Sequence, residues 1–375
     1  MSARVGVIGG GQLARMMIPP AIVMGIDIHV LAETADSSAR LAATTVGDYL
    51  DAETVMSFAK EVDVITFDHE HVPVEILNRL VDSGVAVRPG PQALQSAQDK
   101  SVMRSRLAEL SLPIPRWALA ATESDVEEFI AQGDSPAIIA KTPRGGYDGK
   151  GVRVATTGAD VSDWLATGPV LLEEKIPFQR EVAQLVARRP SGEIVAWPLV
   201  ETRQRNGVCA EVLAPAPEAQ QLSLHAREIA FAIAQGLDVT GVLAVEMFVT
   251  TDGGLLVNEL AMRPHNSGHI FTELSETSQF EQHLRAVLDL PLGSADLMAS
   301  AGVMVNIFGG VQAHKISEAL STSASLKVHD YGKAARPGRK AGHVSITGDD
   351  HAELLSLAQK AVALCATDGL ALDHA

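Results

Sequence analysis

The chain has 375 residues, a length that suits roughly two or three packed domains rather than one. Its formal net charge of −16 argues against binding nucleic acid or an anionic membrane through the overall field of the protein, but it leaves room for a local basic pocket that binds phosphates. Cys209 and Cys365 are too few for a disulfide framework or a cysteine metal cluster, and no apolar stretch is long enough to span a bilayer, so we expect a cytoplasmic protein.

The first part of the chain alternates strands with helices. Residues 5–10, 26–33 and 62–70 have the pattern of short buried strands, and a helix containing Pro19 and Pro20 is expected between the first two. A further helix after residue 71 is expected to end at Gly84. This alternation predicts a parallel sheet, and the proline-rich segment at 87–94 predicts that the first domain covers residues 1–94.

The turn after the first strand carries the glycine pattern Gly9-x-Gly11-x-x-Ala14, with Glu33 at the end of the second strand. Glycines in such a turn let a phosphate approach the N-terminus of the next helix, and the acid suits ribose hydroxyls. Three interpretations stay open at this point: a dinucleotide site, a phosphate site for another ligand, and a tight turn without a ligand.

The middle of the chain predicts a second domain at residues 95–294. Helices are expected at 95–110, at 123–133 with Thr122 as N-cap, and at 222–237. Strands are expected at 137–143, 169–176, 181–189 and 193–202, followed by a hairpin at 242–260 that turns at Asp252-Gly253-Gly254. A smaller C-terminal region is expected at residues 295–375.

A glycine-rich loop at residues 144–151 follows the strand that ends near Lys141, and it contains Lys150 among its glycines. Exposed backbone N–H groups and lysine charges in such a loop can enclose phosphates. The loop lacks the ending of a Walker motif, and a strand rather than a helix is expected after it. The alternative interpretation is the flexible tip of a hairpin.

The predicted hairpin carries Glu246 on one strand and Asn258-Glu259 on the other, within otherwise apolar segments. We expect the two glutamates to oppose each other, because both lie several residues from the turn. Carboxylate and amide oxygens at that separation suit Mg²⁺, which also compensates for the cost of burying carboxylates. Solvated acids on an edge hairpin are the alternative interpretation.

Three other polar clusters are candidates for substrate contacts. The loop after the hairpin carries Arg263, His265, Asn266 and His269, a set that suits a small oxyanion next to a metal–phosphate site. The end of the third strand carries Asp68 and Glu70, at the edge where open α/β sheets bind ligands. A basic segment suits a phosphate or, alternatively, is a solvated loop; its residues are Lys333, Arg336, Arg339 and Lys340.

The order of these motifs resembles N5-carboxyaminoimidazole ribonucleotide synthases over nearly the whole chain. The resemblance is carried by GGGQL, TFDHEHVP, QDK, GGYDGKG, NELAMRPHNSGH and YGK…RPGRK. The sequence departs from the family pattern at Asp68-His69-Glu70, where the family has Glu-x-Glu, at Met262, where it has proline, and at Gln204, where it often has histidine.

The resemblance implies a fold of α/β and α+β class: a pre-ATP-grasp α/β domain, a two-lobed ATP-grasp domain and a small C-terminal β domain. It implies that ATP phosphorylates bicarbonate to carboxyphosphate, whose CO₂ carboxylates the 5-amino group of 5-aminoimidazole ribonucleotide. ATP, Mg²⁺ (with Mn²⁺ as an alternative metal), both substrates and a homodimer follow as expectations.

The resemblance also assigns roles by position. The residues assigned to the nucleotide are Lys100, Lys141, Gly146, Tyr147, Asp148, Gly149, Lys150, Gly151, Glu173, Glu174, Lys175, Ile176, Glu181, Gln204, Asn258 and Glu259. The metal ligands are Glu246 and Glu259. The catalytic residues are Arg263, His265 and Asn266, which face bicarbonate or carboxyphosphate, together with Lys150. The residues assigned to the aminoimidazole ribonucleotide are Gly11, Gln12, Asp68, Glu70, Tyr147, Lys333, Arg339 and Lys340.

Other classes of function stay open in the sequence. An NAD-dependent oxidoreductase would use the first glycine motif but leaves the second loop and the acid hairpin unexplained. A related ligase or formyl-transferring enzyme would join a different acylphosphate to an amine. A non-catalytic nucleotide sensor would not need both metal glutamates and both lysines.

Overall fold

The computed structural model describes residues 2–146 and 151–367, and its strands form three sheets. The elements of the first region are β1 (Arg4–Ile8), α1 (Gln12–Met24), β2 (Asp27–Ala32), β3 (Ala43–Val46), α2 (Ala52–Ala59), β4 (Val64–Phe67) and α3 (Val74–Asp82). The four strands pair in parallel in the order β3-β2-β1-β4. The parallel sheet is therefore confirmed, whereas β3 and α2 were not predicted.

The second region forms a small antiparallel sheet together with four helices. Its elements are α4 (Pro91–Gln98), α5 (Lys100–Glu109), β5 (Trp117–Ala120), α6 (Glu123–Ala131), β6 (Ile138–Lys141), β7 (Val152–Ala155), α7 (Ser162–Leu165) and β8 (Val170–Glu174). The strand order is β5-β8-β6-β7. As expected, a strand, β7, follows the glycine-rich loop and pairs with β6.

The helix ends in this region follow from side-chain caps. Thr122 and Asp125 form a capping box at the start of α6, which confirms the predicted N-cap. The single helix predicted at 95–110 is wrong, because Asp99 interrupts it. The Asp99 side chain accepts hydrogen bonds from the N–H groups of Ser101 and Val102, so it caps α5 and ends α4.

The third region is built on a nine-stranded antiparallel sheet. Its elements are β9 (Phe178–Arg188), β10 (Ile194–Ala196), β11 (Val200–Arg205), β12 (Val208–Ala214), α8 (Gln220–Gly236), β13 (Gly241–Thr250), β14 (Leu255–Ala261), α9 (Phe271–Leu274), α10 (Gln279–Val287), β15 (Ala301–Phe308), α11 (Ile316–Leu320), β16 (Lys327–Asp330), β17 (Lys340–Gly348) and α12 (His351–Cys365). The order is β14-β13-β9-β11-β12-β15-β17-β16, with β10 beside β9.

The strand predicted at 193–202 is wrong as a single element, because it divides into β10 and β11. Pro198 has no N–H for a sheet ladder, and the preceding Trp197 turns its ring into the core. The indole Nε1 of Trp197 donates to the carbonyl oxygen of Thr277 at 3.1 Å. The predicted hairpin, by contrast, is confirmed as β13 and β14.

The C-terminal strands continue the central sheet instead of forming a separate one. β15 pairs with β12, placing Met304 opposite Val212, and β17 then pairs with β15. Helix α12 buries Leu354, Ala358 and Val362 in a core shared with these strands. The C-terminal region is thus a β-structure covered by a helix and joined to the middle of the chain by backbone hydrogen bonds.

The first sheet is joined to the central sheet through a buried histidine of α10. The Nδ1 atom of His283 accepts the N–H of Val242 on β13, at 3.1 Å. The proton of the ring is therefore on Nε2, which donates to the hydroxyl of Thr66 on β4 at 2.7 Å. Burial lowers the pKa of His283 to about 3, so this bridge is uncharged.

One of the two predicted domain boundaries falls inside a helix, and the other falls between two elements. The boundary at 94 lies inside α4, whereas the boundary at 294 lies in the irregular segment between α10 and β15. The division into residues 1–94, 95–294 and 295–375 stays a prediction. Within the described parts of the chain, no helix combines the length and the hydropathy needed to cross a bilayer.

Candidate active site

A cavity of about 1550 Å³ lies where the three sheets meet. Of the predicted site residues that the structure describes, all line this cavity except Gly11, Asp68 and Gly151. The lining residues among them are Gln12, Glu70, Lys100, Lys141, Gly146, Glu173, Glu174, Lys175, Ile176, Glu181, Gln204, Glu246, Asn258, Glu259, Arg263, His265, Asn266, Lys333, Arg339 and Lys340. Tyr147, Asp148, Gly149 and Lys150 lie outside the described residues.

The acid pair of the hairpin is arranged as the sequence predicted. Glu246 on β13 is directly opposite Glu259 on β14, and a bulge follows Glu246 in the ladder. Burial raises the pKa of Glu246 to about 8, and the neighbouring charges of Glu259 and Glu181 add to the shift. Two facing carboxylates that resist joint ionisation fit a divalent cation between them.

A nucleotide phosphate can supply further oxygen ligands to such a cation. Among the residues that the structure describes, no group of three or more His, Cys, Asp and Glu side chains is arranged to hold a metal ion. Mg²⁺ is commonly held by one or two carboxylates together with substrate phosphates, so the Glu246–Glu259 pair fits Mg²⁺ bound with a nucleotide.

A buried ionic network supports the hairpin from the second region. Arg104 on α5 is fully buried, and its Nε donates to Glu173 on β8 at 2.7 Å. Its two terminal nitrogens donate to the carbonyl oxygens of Val257 and Asn258, each at 2.9 Å. Arg104 therefore fixes the backbone of β14 next to Glu259, although the sequence showed it only as a residue one turn after Lys100.

Two lysines complete the surroundings of the acid pair. The Nζ of Lys141 lies 2.8 Å from Glu173 and donates to the side-chain oxygen of Asn258 at 3.2 Å. The Nζ of Lys100 lies 3.7 Å from Glu259 and donates to the carbonyl oxygen of Gly146 at 3.2 Å. Positive charge is thus held beside Glu259 and Glu173 and against the start of the glycine-rich loop, which suits a polyphosphate bound with a cation.

The neighbouring wall of the cavity is polar as well. Gln204 on β11 donates to the carboxylate of Glu181 on β9 at 3.2 Å, and burial raises the pKa of Glu181. Gly151 has a positive φ of 70°, and its carbonyl oxygen accepts the N–H of Thr142. Gly151 therefore closes the pair of β6 and β7 with a backbone hydrogen bond, and it does not line the cavity.

The loop after the hairpin brings its predicted residues to the acid pair. Arg263 donates from Nε to Glu70 at 2.8 Å, which joins the loop to the first region. The Nε2 of His265 lies 3.5 Å from Glu246, and its Nδ1 lies 2.8 Å from the hydroxyl of Ser267. Burial lowers the pKa of His265 to about 3, with the cations Arg263 and Lys340 adding to it, so the imidazole is neutral.

Asn266 is held by a partner that the sequence did not indicate. Asn266 and Asn306 each donate their amide N–H to the other's oxygen, at 3.0 and 2.7 Å. Asn306, on β15, also donates to the carbonyl oxygen of Cys209. His269, grouped with this loop in the sequence, is fully buried in the core below it.

The first glycine motif and the basic segment meet at one side of the cavity. The ammonium of Lys333 donates to the side-chain oxygen of Gln12, the first residue of α1. Arg339 also lines the cavity there, and its Nη1 donates to the carbonyl oxygen of Ala334 at 3.3 Å. Two clusters about 320 positions apart in the sequence thus form one basic surface.

Asp68 lies against the start of α1 and does not line the cavity, and its substrate role stays a prediction. Its carboxylate accepts the N–H of Ala14 at 2.8 Å, so it caps α1 where a bound phosphate would otherwise accept the same group. A Cβ atom on Gly11 would lie 2.0 Å from the Asp68 carboxylate oxygen, which explains the glycine. This arrangement counts against a dinucleotide pyrophosphate at the turn. Gln12 is the residue of the predicted Gly11–Gln12 pair that lines the cavity.

Comparison with known proteins places this site within a class. Residues 105–280 match the ATP-grasp domain, so the chain is an ATP-grasp protein. Residues 1–98 match the ribonucleotide synthetase preATP-grasp domain, and residues 302–357 match the phosphoribosylaminoimidazole carboxylase C-terminal domain. The predicted fold class is thereby confirmed.

Full-length relatives define the particular family. N5-carboxyaminoimidazole ribonucleotide synthase of Mycobacterium tuberculosis is 48% identical, with 95% of this chain and 86% of that protein covered. The Corynebacterium ammoniagenes enzyme of the same name is 46% identical, with 92% and 88% covered. The chain belongs to the N5-carboxyaminoimidazole ribonucleotide synthase family, as its motifs indicated.

Solved structures agree with this assignment. An ADP complex of an N5-carboxyaminoimidazole ribonucleotide synthetase superposes with a TM-score of 0.89 at 36% identity, covering 96% of each chain. The Aspergillus clavatus enzyme in complex with ADP and 5-aminoimidazole ribonucleotide has a TM-score of 0.87 at 31% identity, covering 96% of this chain and 98% of that one. Nothing in this membership supports the oxidoreductase alternative.

Proposed function

We propose that this protein catalyses the ATP- and bicarbonate-dependent carboxylation of the 5-amino group of 5-aminoimidazole ribonucleotide. The products are N5-carboxyaminoimidazole ribonucleotide, ADP and phosphate, in de novo purine biosynthesis. The observation that carries this proposal is the 48% identity over 95% of the chain to a synthase of that name. The complex of the Aspergillus clavatus relative with ADP and 5-aminoimidazole ribonucleotide supports the same pair of ligands.

ATP is assigned to the end of the cavity formed by the second region and the hairpin. Lys100 and Lys141 would face the phosphates, because both line the cavity. Their amines lie within 4 Å of Glu259 and Glu173, beside the proposed metal site. The backbone at Lys175 and Ile176, after β8, lines the same cavity and would receive the base. Phosphoryl transfer needs positioning and neutralisation of charge rather than a protein nucleophile, and these residues supply both.

Mg²⁺ is proposed to lie between Glu246 and Glu259, with Asn258 beside them, and Mn²⁺ is an alternative. The cation would neutralise developing charge on the transferred phosphoryl group. The protein's own contribution is to present two carboxylates in register on paired strands and to hold β14 in place through Arg104.

The loop of Arg263, His265 and Asn266 is proposed to bind bicarbonate and the carboxyphosphate formed from it. An uncharged His265, 3.5 Å from Glu246, can hydrogen-bond an oxyanion, while Arg263 stays paired with Glu70. The loop lies against Glu70 on one side and Asn306 on the other, so its polar groups are fixed before the substrate binds.

The aminoimidazole ribonucleotide is assigned to the end of the cavity that contains Gln12 and Lys333. Its 5′-phosphate would contact Lys333, Arg339 and Lys340, while its ring would lie towards Glu70. Asp68, by capping α1, would act on this substrate only through the position of Gln12. Tyr147 and Lys150 keep their sequence-based assignments, as do a homodimer and a cytoplasmic location.

One assay tests the proposal as a whole. ADP formation is measured with ATP and Mg²⁺, adding bicarbonate and 5-aminoimidazole ribonucleotide separately and together. Full activity is expected only with both. Activity that requires formate or an amino acid instead of bicarbonate would assign the protein to the related ligases, and nucleotide binding without any turnover would make it a sensor.

Substitution of Arg339 is expected to weaken binding of the ribonucleotide selectively. A charge-assisted hydrogen bond is worth about 1.5–3 kcal/mol, so Arg339→Ala should raise the KM for 5-aminoimidazole ribonucleotide by about ten- to a hundredfold. The KM for ATP should stay nearly unchanged, because the nucleotide phosphates belong to the other end of the cavity. Steady-state kinetics with each substrate varied in turn measures both constants, and Lys315→Ala, on the surface, is the control. Equal changes in both KM values would refute the assignment.

The pH dependence of ribonucleotide binding should report Lys333. Burial lowers the pKa of Lys333 to about 8, and the cations Arg339, Lys340 and Arg336 add to this while Asp68 opposes it. A phosphate dianion binds the protonated amine, so kcat/KM for 5-aminoimidazole ribonucleotide should fall as the pH rises above about 8. In Lys333→Arg, whose guanidinium stays charged, this fall should disappear. An unchanged profile in the variant would exclude Lys333 as its cause.

A further inference from the structure

Gln279, the first residue of α10, lies directly beneath the loop of Arg263, His265 and Asn266. Its side chain is fully buried and does not reach the cavity. The Oε1 atom accepts the N–H of His265 at 2.8 Å, and the Nε2 atom donates to the carbonyl oxygen of the same residue at 2.8 Å. One amide therefore holds both backbone polar groups of His265.

The orientation of this amide is fixed by its partners. A backbone N–H can only donate and a carbonyl can only accept, so the two bonds to His265 define which atom of Gln279 is oxygen. The second N–H of Nε2 then points to Nδ1 of His269, 2.9 Å away. Since that nitrogen accepts, the proton of His269 is on Nε2, and burial lowers the pKa of His269 well below its usual value.

The loop also lies in van der Waals contact with this side chain. A Cβ atom on Gly268 would lie 2.5 Å from Oε1 of Gln279 and 2.3 Å from a methyl group of Leu185. Glycine at 268 therefore lets the backbone reach the amide. Contacts at His265, Gly268 and His269 together span the whole short turn that presents the polar side chains.

We propose that Gln279 is a positioning residue for the carboxylation reaction, acting through the backbone of His265. This inference rests on the proposed function. A shift of the His265 backbone would also move Arg263 and Asn266, in the same loop, away from the place where bicarbonate is proposed to bind. A displacement of about 1 Å in such a site can cost roughly a hundredfold in rate, so the effect should be large although Gln279 touches no substrate.

The same helix provides a matched control in Gln282. It is also fully buried, and it makes the same pair of bonds to another backbone residue: Nε2 donates to the carbonyl oxygen of Gly293 at 2.6 Å, and Oε1 accepts the N–H of Gly293 at 2.8 Å. Gly293 belongs to the irregular segment before β15. Neither Gln282 nor Gly293 lines the cavity. The two glutamines differ in the segment they hold.

The experiment compares Gln279→Met with Gln282→Met in the full-length enzyme. Methionine keeps the length of the side chain and removes every amide hydrogen bond, so both variants should lose a similar amount of thermal stability. In Gln279→Met, kcat/KM for bicarbonate should fall by about a hundredfold while the KM for ATP changes by less than about twofold. In Gln282→Met, both constants should stay within about twofold of the wild type.

A second variant approaches the same contact from the other side. Gly268→Ala leaves Gln279 intact but places a methyl group against its amide, so it should reproduce the selective loss with bicarbonate. Melting curves and circular dichroism establish that each variant is folded. If Gln279→Met or Gly268→Ala lowers kcat/KM for bicarbonate no more than Gln282→Met does, Gln279 is only a structural residue. A wild-type enzyme that ignores bicarbonate would instead overturn the proposed function, and this inference with it.

Discussion

Replacing Glu246 with glutamine should lower kcat by about three orders of magnitude while leaving the protein folded. The facing carboxylates of Glu246 and Glu259 are the protein ligands proposed for Mg²⁺, and a metal ion contributes several kcal/mol to stabilising charge in phosphoryl transfer. Glutamine has nearly the same shape but carries no charge, so the cation would lose half of its carboxylate charge.

The stability of Glu246→Gln should separate this effect from misfolding. The pKa of Glu246 is raised to about 8, so the folded protein resists ionisation of this carboxylate. The free energy of unfolding therefore decreases as the pH rises from the unfolded-state pKa towards about 8. Glutamine removes this cost, so the melting temperature at neutral pH in the absence of metal should not fall. The measurements are ADP formation over a range of Mg²⁺ concentrations and thermal unfolding with EDTA. Glu228→Gln, on the exposed face of α8, serves as the control. Near-normal turnover at saturating Mg²⁺ would refute the metal assignment.

Replacing Arg104 with methionine should cost about 3–5 kcal/mol of the free energy of unfolding. Arg104 is fully buried and its partner Glu173 is nearly so, and removing one member of such a pair leaves a buried charge without full compensation. The two backbone carbonyls of β14 that accept from Arg104 would lose their partner as well. Because these carbonyls adjoin Glu259, activity should fall even in the fraction that remains folded.

The comparison for this prediction lies two residues away on the same helix. Arg106 pairs with Glu109 on the surface, and Arg106→Met should cost less than about 1 kcal/mol. Urea denaturation followed by circular dichroism measures both values. The double variant Arg104→Met/Glu173→Gln should recover part of the loss, because the uncompensated carboxylate is gone. Equal costs for Arg104 and Arg106 would show that the buried pair does not stabilise the fold.

The parts of the site that depend on local pattern could be predicted from the sequence. The hairpin of β13 and β14 was visible because apolar residues flank Glu246 and Glu259, and the turn sequence at Asp252 set their register. In such cases the chemistry and the structure lie in one short segment.

The parts that depend on distant contacts could not be predicted. Nothing near Asn306 indicates that its amide pairs with Asn266, 40 positions earlier. Arg104 reads as an ordinary charged residue of a helix, and only the packing of α5 against β14 shows that it is buried. The resemblance assigns Asp68 to the aminoimidazole, and nothing near it in the sequence indicates that its carboxylate accepts the N–H of Ala14 in α1.

The pairing of β12 with β15 has a consequence for synthesis of the protein on the ribosome. Until residues 301–308 have been made, β12 pairs only with β11 and is the edge strand of the central sheet, with the backbone groups of its other side open to pairing with other chains. Asn306 and Lys333 also arrive late, so Asn266 lacks its amide partner and Gln12 lacks its lysine partner until those residues have been made. A nascent chain that ends before residue 301 should therefore be inactive and prone to aggregation until β15 and β17 join the sheet.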